Sequence, residues 1–258
     1  MLQRYKAVIE YEGTFFHGWQ KQDPSKNYGF GVQNSVENAL EKLFKQKIST
    51  ICAGRTDAGV HAKGQVIHFD APDTYDSFKI LGAINYYLKP HPVCLLSLNA
   101  VDSNFNARFD ALTREYEYHI INRKSLLTFM NKRAWLVMRP LNLEKMRVAS
   151  QDFIGTHDLT PFRARGCQAK SPIRTIYSVD FEQQSHEHII MRVCGQSFLY
   201  NQIRAMIGSL VKIGIGQETD CFIKRLLETK DRASCGVVAP PYGLYFNKVT
   251  YPENTNPE

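Results

Sequence analysis

No two of the six cysteines are spaced C-x-x-C, and H-E-x-x-H occurs nowhere in the 258 residues. The common signatures of a zinc site are therefore missing. A zinc deaminase, which needs P-C-x-x-C as well as H-x-E, has no support either. No G-x-G-x-x-G follows a strand pattern, and "YGFGVQN" at 28–34 lacks the third glycine. G-x-x-x-x-G-K-[ST] is absent too. Hydride transfer, methylation and ATP-driven reactions lose weight with these motifs. Long apolar runs are also missing. The longest candidate, 205–215, is interrupted by Ser209 and Lys212 and falls short of the ~18 residues a membrane span requires. "MLQRYKAVIEYEG" does not read as a signal peptide. These absences together predict reduced thiols, a cytoplasmic protein away from membranes, no metal and no cofactor. The chemistry is left to side chains.

What is present fits a globular domain with a polyanionic partner. Hydrophobic residues make up 43% of the chain, enough for an ordinary core. Lys and Arg number 32 against 25 acids, and the net charge of +7 suits a polyanionic partner as well as it suits a soluble protein with a mildly basic surface. The length suits one large domain or two small ones.

Periodicity gives the order of elements. Tyr5, Ala7, Ile9 and Tyr11 alternate as in a strand. A Gly- and aromatic-rich loop follows. Val32, Val36, Leu40, Leu43, Phe44 and Lys47 recur at helical spacing, with Gln33, Glu37, Glu41 and Lys45 off that face. A short strand at Ile51, a strand through "QVIHFD", a helix over 77–88 ending before Pro90, and a strand "VCLLSLNAV" complete a first half, 1–104. The second half, 105–258, opens with "TREYEYHIIN", in which Tyr116, Tyr118 and Ile120 alternate with Glu115, Glu117 and His119. A short strand "RAWLVM" and a helix over 143–153 with Asn142 as N-cap follow. Next come the hairpin "TIYSVDFEQ"/"HIIMRVCG", an apolar helix over 198–213, a helix "CFIKRLLET", a closing strand "GLYFNKVTY" and a loose tail. Hairpins mixed with single helices predict an α+β fold with a largely antiparallel sheet, not a doubly wound one.

Three stretches can carry chemistry. "GRTDAGVH" places Asp57 between Gly54 and Gly59 on a loop joining two strands. A carboxylate there suits a nucleophile or base, but as a bare pattern an Asx-type turn beside a solvated Arg55 is the plainer reading. "TPFRARGCQAKSPIRTIY" holds Arg163, Arg165, Lys170 and Arg174 with no acid, a composition suited to phosphate contacts. "FFHGWQKQ" offers Trp19 and Lys21 for stacking and backbone contact, or Phe16 and Trp19 for a small core under the loop. Arg204 follows Ile203 inside the apolar helix pattern, where a charge at the edge of the apolar face is the plainer reading.

Taken together, "YEGTFFHGWQKQ", "VQNSVENAL", "CAGRTDAGVHAKGQVIHF", "FNARFDALTREYEYHI", "FRARGCQAKSPIRTI", "FLYNQIRAMIGSLVKIG" and "PYGLYFNKVTYP" resemble the TruA-type tRNA pseudouridine synthases, in order and over nearly the whole chain. The resemblance implies two ferredoxin-like halves sharing a central sheet, an active cleft between them, and a homodimer that holds the tRNA anticodon arm, with uridines near positions ~38–40 as targets. It places the catalytic carboxylate on Asp57, with Arg55 as its neighbour for extruding the base. The first Tyr of R-x-Y-x-Y falls on Tyr116, to stack on that base, and Arg204 becomes the ion-pair partner of Asp57. The stretch "DPSKNYGFG" is longer than the usual family loop. The alternative is a non-catalytic RNA-binding or RNA-folding protein on the same scaffold, which would not need Asp57, Tyr116 and Arg204 together. A glycosidase would pair two acids across the bond, and no second acid stands in a comparable motif.

Overall fold

The computed structural model describes residues 2–22, 30–73 and 75–253. Most of the long loop "DPSKNYGFG" and the end of the tail therefore lie outside the described residues. The chain divides into two compact units, one of Met1–Arg114 with Phe246–Glu258 and one of Glu115–Tyr245. These differ from halves cut at 104/105, because the closing strand returns to the first unit. The fold is α+β, with a mixed, mostly antiparallel set of strands and five α-helices among the described residues.

The first unit is ordered β4-β1-β3-β10. Its strands are β1 (Leu2–Tyr11), β2 (Ile51–Cys52), β3 (His61–Pro72), β4 (Val93–Val101) and β10 (Leu244–Thr250). β1 runs antiparallel to both β3 and β4, and its alternate residues Tyr5, Ala7, Ile9 and Tyr11 are buried. Tyr5 stacks on Phe69 of β3 at 5.6 Å between ring centroids. Two helices, α1 (Val32–Phe44) and α2 (Ser77–Leu88), pack on each other, and α2 packs on β4. α1 buries Val32, Val36, Ala39 and Leu40, the i, i+4, i+7, i+8 positions of one face. It stops at Lys45, whose φ of 56° is left-handed, so Lys47 lies beyond the helix. α2 keeps the bounds its sequence suggests. Asp76 caps it by accepting the Lys79 N–H at 3.0 Å.

One polar residue departs from the pattern. Glu37, expected on the outer face of α1, is buried. Its carboxylate accepts the Thr50 N–H and Gln33 Nε2, both at 2.9 Å, and pairs with Lys21 Nζ at 3.0 Å. A buried carboxylate of this kind survives because its lone pairs are matched.

The second unit has the strand order β5-β9-β8-β7, with a short β6 beside β5. Its ranges are β5 (Thr113–Asn122, whose first two residues belong to the first unit), β6 (Trp135–Val137), β7 (Gly155–Asp158), β8 (Ile173–Gln183) and β9 (His188–Gly195). β8 and β9 form the expected antiparallel hairpin, whereas β6 runs parallel to β5. β7 has no alternating pattern, and periodicity does not predict it. The helices are α3 (Leu143–Ser150), α4 (Gln202–Gly214) and α5 (Phe222–Thr229), which pack on one another. Asn142 caps α3 through the Lys145 N–H at 3.0 Å, and the last turn, Gln151–Phe153, tightens to a 3-10 helix.

Two corrections apply here. β5 is not half polar: Glu117 and His119 are buried beside Tyr118 and Ile120. Glu117 accepts from Arg192 Nε at 3.0 Å, and His119 Nδ1 lies 3.0 Å from His188 Nε2, so the second face buries a polar network instead of meeting water. α4 begins at Gln202, not at Phe198. Asn201 has a φ of 61°, which breaks any helix running through it, and the Gln202 side chain accepts the Leu199 N–H at 2.8 Å.

Candidate active site

The loop carrying Asp57 is built by short-range pairing and buried polar side chains. β2 pairs with β3 through Ile51 with His68 and Cys52 with Ile67, and the Ala53 N–H continues the ladder to the Val66 carbonyl at 2.8 Å. The chain then leaves the sheet and returns at His61. Gly59, at a φ of 79°, supplies the left-handed residue of the turn. The turn is closed by the Val60 N–H on the Asp57 carbonyl at 3.1 Å. It is the Asp57 backbone that makes this bond.

Four residues, Arg114, Gln65, Tyr11 and Trp19, hold the loop before Asp57. The Arg114 guanidinium donates to the Ala53 carbonyl from Nε at 3.2 Å and Nη2 at 3.1 Å. Gln65, fully buried on β3, donates from Nε2 to the Gly54 carbonyl at 2.6 Å and accepts the Gly54 N–H at 3.4 Å. The Thr56 hydroxyl lies 2.8 Å from the Tyr11 hydroxyl. The Thr56 carbonyl accepts the Trp19 N–H at 3.0 Å. The chain passes so close at Gly18 that a Cβ there would lie 2.5 Å from the Thr56 oxygen. Arg55 and Ala58 are exposed and Asp57 is half-buried, on a backbone whose flanking residues Thr56 and Val60 are buried. Such a loop presents a carboxylate from a fixed frame, as a nucleophile or base requires. Burial pushes the Tyr11 hydroxyl far above its ordinary pKa, so it remains a neutral partner for Thr56.

Tyr116 and Arg204 belong to the second unit. Tyr116 on β5 is buried and meets Phe198 edge-on at 5.3 Å. Arg204, in the first turn of α4, is half-buried. Its Nε donates to the Ala239 carbonyl at 2.7 Å and its Nη1 to Asn201 Oδ1 at 2.8 Å. The left-handed Asn201 that ends the preceding segment thus also holds the guanidinium. Arg204 is neither a core residue nor a freely solvated edge charge.

The residues expected to contact RNA divide. Arg165 and Lys170 are exposed. Arg163 spends Nη2 on the carbonyls of Cys167, at 2.9 Å, and Ala169, at 2.6 Å. Arg174 donates to the carbonyl of Ser171 at 2.9 Å, and its desolvation lowers its pKa. Both fold the basic segment on itself. Lys21 pairs with Glu37 while its side chain stays largely exposed. Trp19 is a correction. It is 2% exposed and packs 6.2 Å from Tyr11, so it closes the core under its loop and has no open face for a base. Phe16 is buried with it.

Gln65, Thr56 and Arg114 hold this loop, and none of them is among the site residues the sequence suggests. Gln65 carries a signal all the same: a lone amide within the apolar run of β3. Arg114 carries one too, as the Arg that opens R-x-Y-x-Y.

A family model described as "tRNA pseudouridine synthase" matches residues 7–110 and again 149–252, two halves of the chain. Among curated relatives, the chain is 46% identical to tRNA pseudouridine synthase A of Ehrlichia chaffeensis over 96% of its own length and 100% of the relative. It is 44% identical to the protein of that name in Anaplasma phagocytophilum and 42% identical to that of Wolbachia pipientis wMel, each over 96% of this chain and 100% of the relative. Among solved structures, a crystal structure of the archaeal box H/ACA sRNP Nop10–Cbf5 complex is similar at 11% identity and a TM-score of 0.34, over 80% of this chain and 44% of that one, too slight a likeness to bear on function.

Proposed function

The chain belongs to the tRNA pseudouridine synthase family, and from that premise we propose that Asp57 is the carboxylate with which it isomerises uridine to pseudouridine in tRNA. The observation that carries this reading is the match along the whole chain, which includes the Asp57 loop with its backbone tied on both sides. The reaction breaks the N1–C1′ bond and joins C5 to C1′ after the base has turned. C5 then loses its hydrogen and N1 gains one, so nothing is oxidised and no co-reactant is consumed. Asp57 acts at the junction of sugar and base. Tyr116 stacks on the base and keeps it in place, and its hydroxyl serves as acceptor or relay for the C5 proton. Arg204 is the countercharge of Asp57, keeping it ionised. Arg55 helps hold the nucleotide outside its stack, since extrusion costs a few kcal/mol.

The substrate region is the anticodon arm, at positions ~38–40, read by shape more than by sequence. The enzyme works as a homodimer in the cytoplasm. No described helix is long and apolar enough to cross a membrane.

Tritium release from tRNA labelled at uridine C5 tests the reaction. Release to water at the rate of pseudouridine formation is the expected result. Intact tRNA binding without release would favour an RNA-folding protein instead. A second expectation concerns the basic segment, where Arg165 and Lys170 are exposed. Arg165→Glu with Lys170→Glu should weaken tRNA binding uniformly and reduce the salt slope of log Kd by about 1 to 2. An unchanged slope removes the segment from the RNA surface.

A further inference from the structure

Arg114 is not among the residues to which the reaction has been assigned above, and it is buried. Its donors converge on carbonyls from three places in the chain. Nε and Nη2 reach Ala53, Nη1 reaches Ala111 at 3.0 Å, and Nη2 also reaches Arg108. A guanidinium is costly to bury unless its fork is engaged, and this one engages it on backbone that would otherwise bury its own acceptors. Ala53 is pinned from both sides, since its N–H goes to Val66 while its carbonyl takes the guanidinium. It stands four residues before Asp57, at the point where the chain leaves the β2 ladder.

We propose that Arg114 is a positioning residue for the isomerisation, setting the stem of the loop that presents Asp57. The inference rests on the reading of Asp57 as the catalytic carboxylate. Its physical basis is that a misplacement of about 1 Å in a reacting group can cost about 100-fold in rate. Arg114 sits on β5 two residues before Tyr116, so one strand bears both the residue that stacks on the base and the fork that steadies the carboxylate's loop. Lysine cannot do the same work. It offers a single ammonium where a planar fork reaches several carbonyls.

The test compares wild type, Arg114→Lys and Arg114→Ala by single-turnover tritium release at saturating tRNA, by tRNA Kd and by thermal melting. Arg114→Lys is expected to bind tRNA within about threefold of wild type and to slow release at least about tenfold, a loss in the chemical step and not in KM. Adding methylguanidinium to Arg114→Ala is expected to restore part of the rate in a saturable way, and an equal concentration of urea is not. That second variant keeps the question open to a negative answer even if the lysine variant does not fold. A wild-type rate in Arg114→Lys overturns the inference. So does a parallel loss of rate and tRNA binding, or a methylguanidinium effect on melting without one on rate. Failure of the Asp57 reading shows up separately, as tritium release that persists in Asp57→Asn.

Discussion

Asp57→Asn is expected to lose turnover by about 10⁴-fold or more while tRNA binding stays within about threefold. The carboxamide is nearly isosteric with the carboxylate and removes the negative charge that nucleophile or base chemistry at the ribose requires. Three contacts that shape the loop are made to backbone groups and not to that carboxylate. Val60 bonds the Asp57 carbonyl, Trp19 bonds the Thr56 carbonyl, and Gln65 bonds Gly54. The variant should therefore melt close to wild type and still present its loop to RNA. Tritium release and a filter-binding Kd, measured on one preparation, decide the matter. If binding falls along with turnover, Asp57 holds the structure together. If turnover survives, another group opens the bond.

The second large effect is on the backbone. Gly18→Ala should destabilise the protein by about 3 kcal/mol, which for a chain of this size lowers the melting temperature by roughly 6–12 °C. Gly18 has a φ of 90°, a conformation L-residues avoid, and its added methyl would lie 2.5 Å from the Thr56 carbonyl oxygen. The neighbour is backbone and cannot swing aside. The loop must shift at the residue next to Asp57, so turnover at saturating tRNA should also fall about tenfold or more. Gly82→Ala provides the opposite sign. That glycine lies in α2, where an added methyl would meet nothing within 4 Å, and replacing it should gain about 0.5–1 kcal/mol. A Gly18→Ala protein as stable and active as wild type would mean that the close approach of the two loops is not maintained in solution.

Elements whose apolar residues recur with one clear period are legible without the structure. α2 has Ile80, Ile84 and Leu88 buried at helical spacing, an Asp cap and a proline beyond its end, and its bounds agree with the reading. β7 is not legible, because four residues pinned to β8 need no pattern of their own. Periodicity misplaces the start of α4 because Phe198 and Leu199 extend its apolar spacing, while only the left-handed Asn201 shows that the helix has not begun. Glu37 and Glu117 look like surface residues because period alone says nothing of partners. Their burial depends on Thr50 and Arg192, which lie 13 and 75 residues further along the chain. The same holds at the site. Asp57 can be singled out from its glycine-flanked motif and from the family it resembles. Arg114 and Gln65 stand out only as an Arg opening R-x-Y-x-Y and a lone amide in an apolar run, and the backbone carbonyls they hold are not displayed by a sequence.

The first unit is discontinuous, and this has a consequence for how the chain is made. Leu112 donates to the Thr250 carbonyl at 2.9 Å, and the Tyr251 hydroxyl donates to the Ala107 carbonyl at 2.7 Å. Residues from Phe246 on complete a unit whose other members end at Arg114. On the ribosome, the segment around Asp57 emerges early and then waits for roughly 10–40 seconds of further synthesis before its last strand arrives. During that interval one side of β3, beyond the two residues paired with β2, lacks its eventual neighbour, and a nascent chain stalled before Phe246 would expose an open strand edge to whatever else is folding nearby.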